Sequence, residues 1–435
     1  MSELQIGTLG ILALVLFMAL GLPIGFAMGV SGFIGTVLVS GTGAALIKLG
    51  LITWSMTAFY LIAVIPLFIL MAHFASVSGL VTQAYYGAHK WVGHLPGGLA
   101  IATIGACAGF AACSSSSVAG AVTMASIAMP EMRQYNYSPK LSTGCIAAGG
   151  TLGILIPPSM ALVLFGIITE ESIGRLFIAG IFPGILLASL FMLTIYIQCR
   201  LNPSLGPPGP KASWLERIIT VKDFWGVLVL FLVVLGGIYM GIFTPTEAAA
   251  AGTFFAFLMA LGNRRLTKEN FIEGFMDTFR TTGMVFPIII GATIFGYFMG
   301  VSGLSGELAD FVAGLPFPRV AIIICILGIF VILGFFIDTM PMMVLLLPVL
   351  LPTLVALEVN LLWFAVLIVI IVEMGLITPP VGMNVFVVAG IARDVPMYTI
   401  FAGIWPFVLA MVVCVAILIA FPQIALFLPG MMMGG

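Results

Sequence analysis

Four consecutive hydroxyls, Ser114-Ser115-Ser116-Ser117, and one carboxylate, Asp338, sit inside segments otherwise apolar enough for hydrocarbon. Short hydroxyls and bare backbone present hard oxygens, the donor type that suits a dehydrated alkali cation. A carboxylate at membrane depth is costly and is a functional candidate for that reason. Beside these residues stand two proline pairs, Gly153-Ile-Leu-Ile-Pro157-Pro158 and Gly375-Leu-Ile-Thr-Pro379-Pro380, 222 positions apart. Each pair removes helical N–H donors, which hydrocarbon tolerates only where the freed carbonyls face protein, water or an ion. Gly149, Gly150, Thr151 and Ser159 flank the first break, and Thr378 and Asn384 the second. A cation held between a polar tip and a broken helix, once in each half, is the chemistry this pattern allows, with oriented carbonyls at the half-helix ends. Taken singly, Ser114 reads as hydrogen-bonding glue between helices and a lone Pro-Pro as a kink. The duplication raises the pattern above either reading.

The same offset pairs Pro352 with Pro130, Thr339 with Ser117 and Pro245 with Pro23, so the chain is a duplication. Of its 435 residues 62% are hydrophobic and 7% charged, with mean hydropathy +1.27, which excludes a soluble domain of ordinary surface. Long helix-compatible apolar runs predict an all-α polytopic membrane protein rather than a barrel. The start MSELQIGTLG has no basic n-region, and a cleavable signal peptide is not expected. Six cysteines without C-x-x-C spacing and three scattered histidines argue against zinc, haem or disulfides.

Apolar spans are expected near 5–21, 24–40, 50–78, 141–168 and 176–199, then near 224–243, 246–262, 282–302, 360–389 and 397–421. Two stretches interrupted by Ser, Asp, Gly and Pro, about 97–130 and 318–352, predict re-entrant hairpins with tips buried in protein. The repeats are 1–199 and 223–435, joined by a cytoplasmic linker at 200–222. With the N-terminus outside, twelve lysines and arginines fall on the cytoplasmic side and only Lys48, Arg175 and Arg319 outside, as the positive-inside rule requires. Five spans per half then make the repeats inverted, with hairpins entering from opposite faces. Short amphipathic pieces at about 80–95 and 303–315 are expected as interfacial arms. Glu247 in Thr244-Pro245-Thr246-Glu247 reads as a capping-box residue, Glu373 as a group that either tunes the second site or pairs with a scaffold group, and Gly21, Gly25 and Gly29 as a helix-packing stripe.

The segments G-I-F-T-P-T-E-A-A-A (241–250), F-F-I-D-T-M-P-M-M-V-L-L-L-P-V-L-L-P (335–352) and G-L-I-T-P-P-V-G-M-N-V-F-V (375–387), with the serine tip, closely resemble the large DctM-like membrane subunit of tripartite ATP-independent periplasmic (TRAP) transporters. The resemblance runs over essentially the whole chain. One departure is the first tip, where the family places Gly among the serines and this chain has Cys113 and Ser115. The resemblance implies a sodium-driven importer of an organic acid in a bacterial inner membrane, not an enzyme. It implies an elevator-type fold of the ion transporter superfamily, the moving domain drawn from about 97–199 and 318–421 and the scaffold from about 1–80 and 223–302. A small four-helix membrane subunit and a periplasmic substrate-binding protein are the implied partners, with no tightly bound cofactor, Na+ as coupling ion and no nucleic acid. Carried over by position, it implies one sodium site framed by Ser114, Ser117, Gly150, Pro157 and Pro158, and another by Asp338, Thr339, Gly375, Thr378 and Pro379. Ser115, Ser116, Ser159, Asp338 and Asn384 are the implied substrate contacts. A stand-alone sodium- or proton-coupled carboxylate symporter or antiporter with similar hairpins is the competing reading, and a channel a third.

Overall fold

In the computed structural model, which describes residues 2–432, every regular element is a helix. The first half contains α1 (Glu3–Ala19), α2 (Ile24–Ser40), α3 (Thr42–Thr57), α4 (Val64–Val77), α5 (Leu80–Val92), α6 (Gly98–Ala111), α7 (Ser117–Gln134), α8 (Pro139–Gly150), α9 (Leu152–Leu155), α10 (Met160–Thr169) and α11 (Ile173–Leu201). A short α12 (Trp214–Thr220) lies in the linker. The second half contains α13 (Trp225–Phe231), α14 (Gly237–Tyr239), α15 (Pro245–Gly262), α16 (Lys268–Val301), α17 (Leu304–Ala313), α18 (Arg319–Gly334), α19 (Thr339–Ala356), α20 (Leu361–Ile377), α21 (Met383–Ile391), α22 (Met397–Ala420) and α23 (Gln423–Gly430). Among the described residues seven helical stretches are long and apolar enough to cross a membrane, including Pro139–Thr169 across the first break and Lys268–Val301.

The expected span at 50–78 is two helices, because the chain leaves helical geometry at Ala58 and Phe59. α3 is a separate, largely exposed helix against α2 and α16, and only Tyr60–Val77 forms the span. Its counterpart at the 222 offset is the polar first half of α16, which here continues unbroken. Thr244 and Glu247 make the expected capping box: the Thr244 hydroxyl accepts from the Glu247 N–H and Glu247 Oε2 accepts from the Thr244 N–H at 2.8 Å.

Lipid tails are as apolar as leucine, so membrane helices gain little from hydrophobic burial against one another and hold together by close packing. α2 shows this. Gly25 lies on the Pro287 backbone of α16, Gly32 on Phe295 and Gly35 on the Phe298 ring, so that two backbones approach where side chains would part them. The pseudo-symmetric pair is α4 with α15, where the Thr253 hydroxyl reaches across to the Leu67 carbonyl at 2.8 Å. α8 and α22 touch through Gly144 and Gly403. α20 has no polar face because it is surrounded: Leu362 through Ile377 are all buried.

Ion pairs and contacts at the helix ends fix the relative direction of the halves. Arg133, at the end of α7, pairs with Asp394, which precedes α22. At the other end Glu171 and Arg175 share a shallow cavity with Glu358 and Leu361, and Arg319 pairs with Glu358 at 3.1 Å. The broken helix α8–α10 therefore starts near Asp394 and finishes near Glu358, while α20–α21 starts near Glu358 and finishes near Asp394. They run antiparallel. The hairpins α6–α7 and α18–α19 are rooted at opposite ends for the same reason, the first closed by the Leu99 N–H donating to the Tyr137 hydroxyl at 3.1 Å.

Gly291→Ala would place a Cβ 2.0 Å from the Gly25 carbonyl, whereas Gly29→Ala meets only ordinary contact at 3.7 Å. The first is expected to cost at least about 1–3 kcal/mol of stability. Thermal unfolding of the two variants in detergent checks it: a lowered midpoint for G291A and an unchanged one for G29A.

Candidate functional site

Both helix breaks are built alike. α9 ends at Leu155, Ile156 is extended, the Pro157–Pro158 peptide is cis, and the Ser159 hydroxyl caps α10 by accepting from the Leu162 N–H at 3.3 Å. In the second half α20 ends at Ile377, Thr378 is extended, Pro379–Pro380 is cis, and Gly382 opens α21 at φ +64°. The carbonyls four residues before each proline lose their helical donors: Gly153 and Ile154 in one half, Leu376 in the other. Gly375 keeps a shorter bond from the Thr378 N–H at 3.1 Å, and the Thr378 hydroxyl donates to the Met374 carbonyl at 2.5 Å.

Each hairpin closes on a break. The Ser115 hydroxyl donates to the Pro158 carbonyl at 3.0 Å, and the carbonyls of Ser116 and Ser117 lie 2.8 Å from where a Cβ on Gly153 or Gly150 would stand. Gly375 meets the backbone of Gly334 the same way, at 2.7 Å. The glycines of Gly-x-x-x-Pro-Pro are therefore approach positions, letting tip carbonyls converge on the region of unpaired carbonyls. Ser115 supplies a side-chain anchor between tip and break.

A polar bridge joins the halves behind the tips. The Asn384 amide donates to the Ser117 hydroxyl at 2.7 Å and to the Ala147 carbonyl at 3.4 Å. The Thr339 hydroxyl donates to Glu373 Oε1 at 3.1 Å, and Ser117 also faces that carboxylate. The sequence leaves Glu373 between tuning the second site and pairing with a scaffold group; the fold sets it between Thr339 and Ser117, one from each hairpin tip. The signal in the sequence is one carboxylate in a wholly apolar run, 361–377.

In front of the tips lies a cavity of about 500 Å³ lined by Ser114, Ser115, Ser116 and Asp338. Its far wall comes from α4 and α16, with His73, Ser76, Asp277 and Thr281. No lysine or arginine is among the described lining residues. α7 and α19 both start here, Ser116 capping the first through the Ala119 N–H and Asp338 the second through the Thr339 N–H at 2.7 Å. Ser159 and Asn384 are fully buried and do not reach this cavity; Thr339 and Ser117 are also buried, behind the tips. Pro157 and Pro158 are buried at the first break, while Pro379 is half-buried and Pro380 exposed.

Ser114 is 1% exposed, lies on the tip that lines the cavity, and its hydroxyl has no protein partner. Neutral hydroxyl and carbonyl oxygens of this kind fit a monovalent cation. Among the described residues no cluster of three His, Cys, Asp or Glu side chains exists to hold a transition metal.

The family model for the tripartite ATP-independent periplasmic transporter, DctM component, matches residues 11–424. The sialic acid TRAP transporter large permease protein SiaM of Vibrio cholerae is 32% identical, with 95% of this chain and 96% of that protein aligned. The C4-dicarboxylate TRAP transporter large permease protein DctM of Pseudomonas aeruginosa is 34% identical over 85% of this chain and 86% of its own. Among solved structures, the YdaH transporter of Alcanivorax borkumensis superposes with a TM-score of 0.69 at 15% identity, covering 90% of this chain and 91% of that one, which speaks for the fold.

The cavity predicts a labelling pattern. With the exposed Cys325 replaced, cysteine at 116 or 338 is expected to react with a membrane-impermeant maleimide in detergent, and cysteine at 384 to stay unreactive while the protein is folded. Labelling read by mass spectrometry checks it.

Proposed function

This chain belongs to the DctM component family of TRAP transporters, a multi-pass inner-membrane permease and not an enzyme, and we propose that it couples sodium entry to uptake of an organic acid. The observation that carries this reading is the pair of mirrored helix breaks, each covered by a hairpin tip rich in oxygen donors and facing one shared cavity. The substrate sits between the tips in contact with Ser115, Ser116 and Asp338, with Ser159 and Asn384 supporting them from behind. One sodium takes the oxygens around Ser114, Ser117, Gly150, Pro157 and Pro158; the other takes those around Asp338, Thr339, Gly375, Thr378 and Pro379. A carboxylate meets no lysine or arginine in the cavity lining and draws instead on hydroxyls, on the N-termini of α7 and α19, and on the ions bound behind the tips. Sodium and substrate then bind together because each supplies the charge the other lacks.

Movement follows from the division of the helices. α2, α4, α15 and α16 pack into a framework, while the hairpins, the broken helices, α11 and α22 form the body that carries the site. α5 and α17 link the two, each entered through a left-handed glycine, Gly79 at φ +80° and Gly303 at φ +70°. Such arms permit the body to slide as an elevator while the framework stays in the bilayer. A small four-helix membrane subunit and a periplasmic binding protein complete the transporter, the latter selecting among carboxylates. The sialic acid and C4-dicarboxylate relatives mark the substrate class.

Uptake of labelled sialic acid and of C4-dicarboxylates into liposomes holding this chain and its small subunit tests the reading, with and without the binding protein and an inward sodium gradient. Transport is expected only when both are present, and Asp338→Ala is expected to abolish it while the protein still inserts. Uptake by this chain alone would favour a stand-alone symporter.

A further inference from the structure

Between Glu3 and Lys90 the chain has a single Lys, Arg, Asp or Glu, which is Lys48 in α3. A lone charge in so apolar a stretch is costly and marks a functional candidate. Lys48 is half-buried, its ammonium lies 4.9 Å from the ring centroid of Tyr297 in α16, and no carboxylate pairs with it among the described residues. It lines a second cavity, of about 620 Å³, between α3 and α16 on one side and α10 and α19 on the other. Glu170, at the end of α10, lines that cavity from the side of the body. One face of α16 runs through both cavities. Asp277, Thr281, Val285 and Ile288 turn to the hairpin tips, while Ile289, Thr293, Gly296 and Tyr297 turn to the second cavity. Spacings of three and four keep these residues on one side of the helix. Thr281 and Ile289, like Val285 and Thr293, are eight positions apart, which is about 12 Å along the axis. α19 lies along the same face: Met340 and Pro341 line the first cavity, Pro348 and Leu351 the second, and a Cβ on Gly296 would stand 3.2 Å from Pro348. The face is uncharged between its ends. Asp277 stands at the end that the charge distribution places in the cytoplasm, with Arg280 3.7 Å away but outside the lining, and Lys48 stands over Tyr297 at the outer end.

Resting on the reading of this chain as an elevator-type carboxylate permease, we propose that Lys48 is the outer capture contact for the substrate carboxylate, and that Asp277 is its counterpart of opposite charge on the cytoplasmic side. A body sliding about 12 Å outward along this face brings the tips from the level of Thr281 and Val285 to that of Ile289 and Thr293. The organic acid then meets an ammonium, where in the present position it meets a carboxylate. The tip hydroxyls, the helix N-termini and the bound ions travel with the substrate and are alike in both positions, so only residues of the framework can distinguish the two sides. Partly buried charges at this range are screened far less than exposed ones. Glu170 belongs to the body and moves outward with α10, leaving the Lys48 ammonium to the incoming carboxylate, while the Tyr297 ring keeps that ammonium at the cavity. The sodium gradient remains the source of energy; the two fixed charges set the affinity on each side.

Proteoliposomes holding the full chain and its small subunit, with the binding protein outside and labelled succinate or sialic acid as the probe, whichever the wild type carries, separate the two sides. Initial uptake reports the outer side, and exchange against an internal pool reports the concentration that half-saturates from the inner side. Lys48→Gln is expected to lower kcat/KM for uptake about tenfold or more with the internal half-saturation unmoved, and Lys48→Arg to keep most of the wild-type value. Lys48→Met retains the apolar stem, removes the charge and serves if the glutamine variant fails to fold. Asp277→Asn is expected to lower the internal half-saturating concentration. A residue that only held α3 against α16 would change both sides alike. Wild-type kcat/KM in the uncharged Lys48 variants, or an equal loss on both sides, overturns the capture contact, and an unmoved internal value in Asp277→Asn overturns its counterpart. No sodium-dependent uptake by the wild type overturns the permease reading itself.

Discussion

An interrupted helix in hydrocarbon has to give its freed carbonyls to something, and nearly every feature of this chain follows from doing so twice. Prolines at 157, 158, 379 and 380 cannot donate, so the preceding carbonyls stay open whatever surrounds them. The fold answers by bringing a hairpin tip to each break. Because tip and break must approach at backbone distance, glycine occupies positions 150, 153 and 375, where any side chain would collide with tip or hairpin backbone. The concentration of oxygen that results is what makes the place suited to a cation.

Antiparallel repeats then place both tips at one cavity instead of two. Had the halves run the same way, the hairpins would root on one side and their tips could not meet from opposite directions. The pairing of Arg133 with Asp394 and of Arg319 with Glu358, at opposite ends of the bundle, records the inversion in contacts that do not depend on where the bilayer lies. Helix packing elsewhere is equally close: glycine-lined contacts such as α2 on α16 hold two backbones together where side chains would part them.

At the tips, single residues carry two duties. Asp338 caps α19 and lines the cavity, so its charge is partly spent on the Thr339 N–H before any ligand arrives. Ser116 does likewise for α7, and Ser115 ties the tip to the Pro158 carbonyl. Ser114 alone keeps a buried, unpartnered hydroxyl. The four serines are thus not equivalent, and their adjacency in the chain conceals four different surroundings.

Local chemistry made much of this readable from residues alone. Proline lacks its N–H in every context, charge at membrane depth is costly everywhere, and a duplication preserves both at one offset; the broken helices, the hairpins and the capping box at Thr244 and Glu247 follow from such context-free facts. The split between α3 and α4 was hidden because Ala58 and Phe59 are as apolar as the helices they separate. What only the tertiary structure decided is which oxygens meet. Asn384 reaches Ser117 across 267 positions and Glu373 reaches Thr339 from a neighbouring helix, while Ser159 turns its hydroxyl to its own helix end. The first pairing depends on the angle and depth at which the inverted halves interlock and the second on how a hairpin lies against its own broken helix, and no residue spacing contains that information.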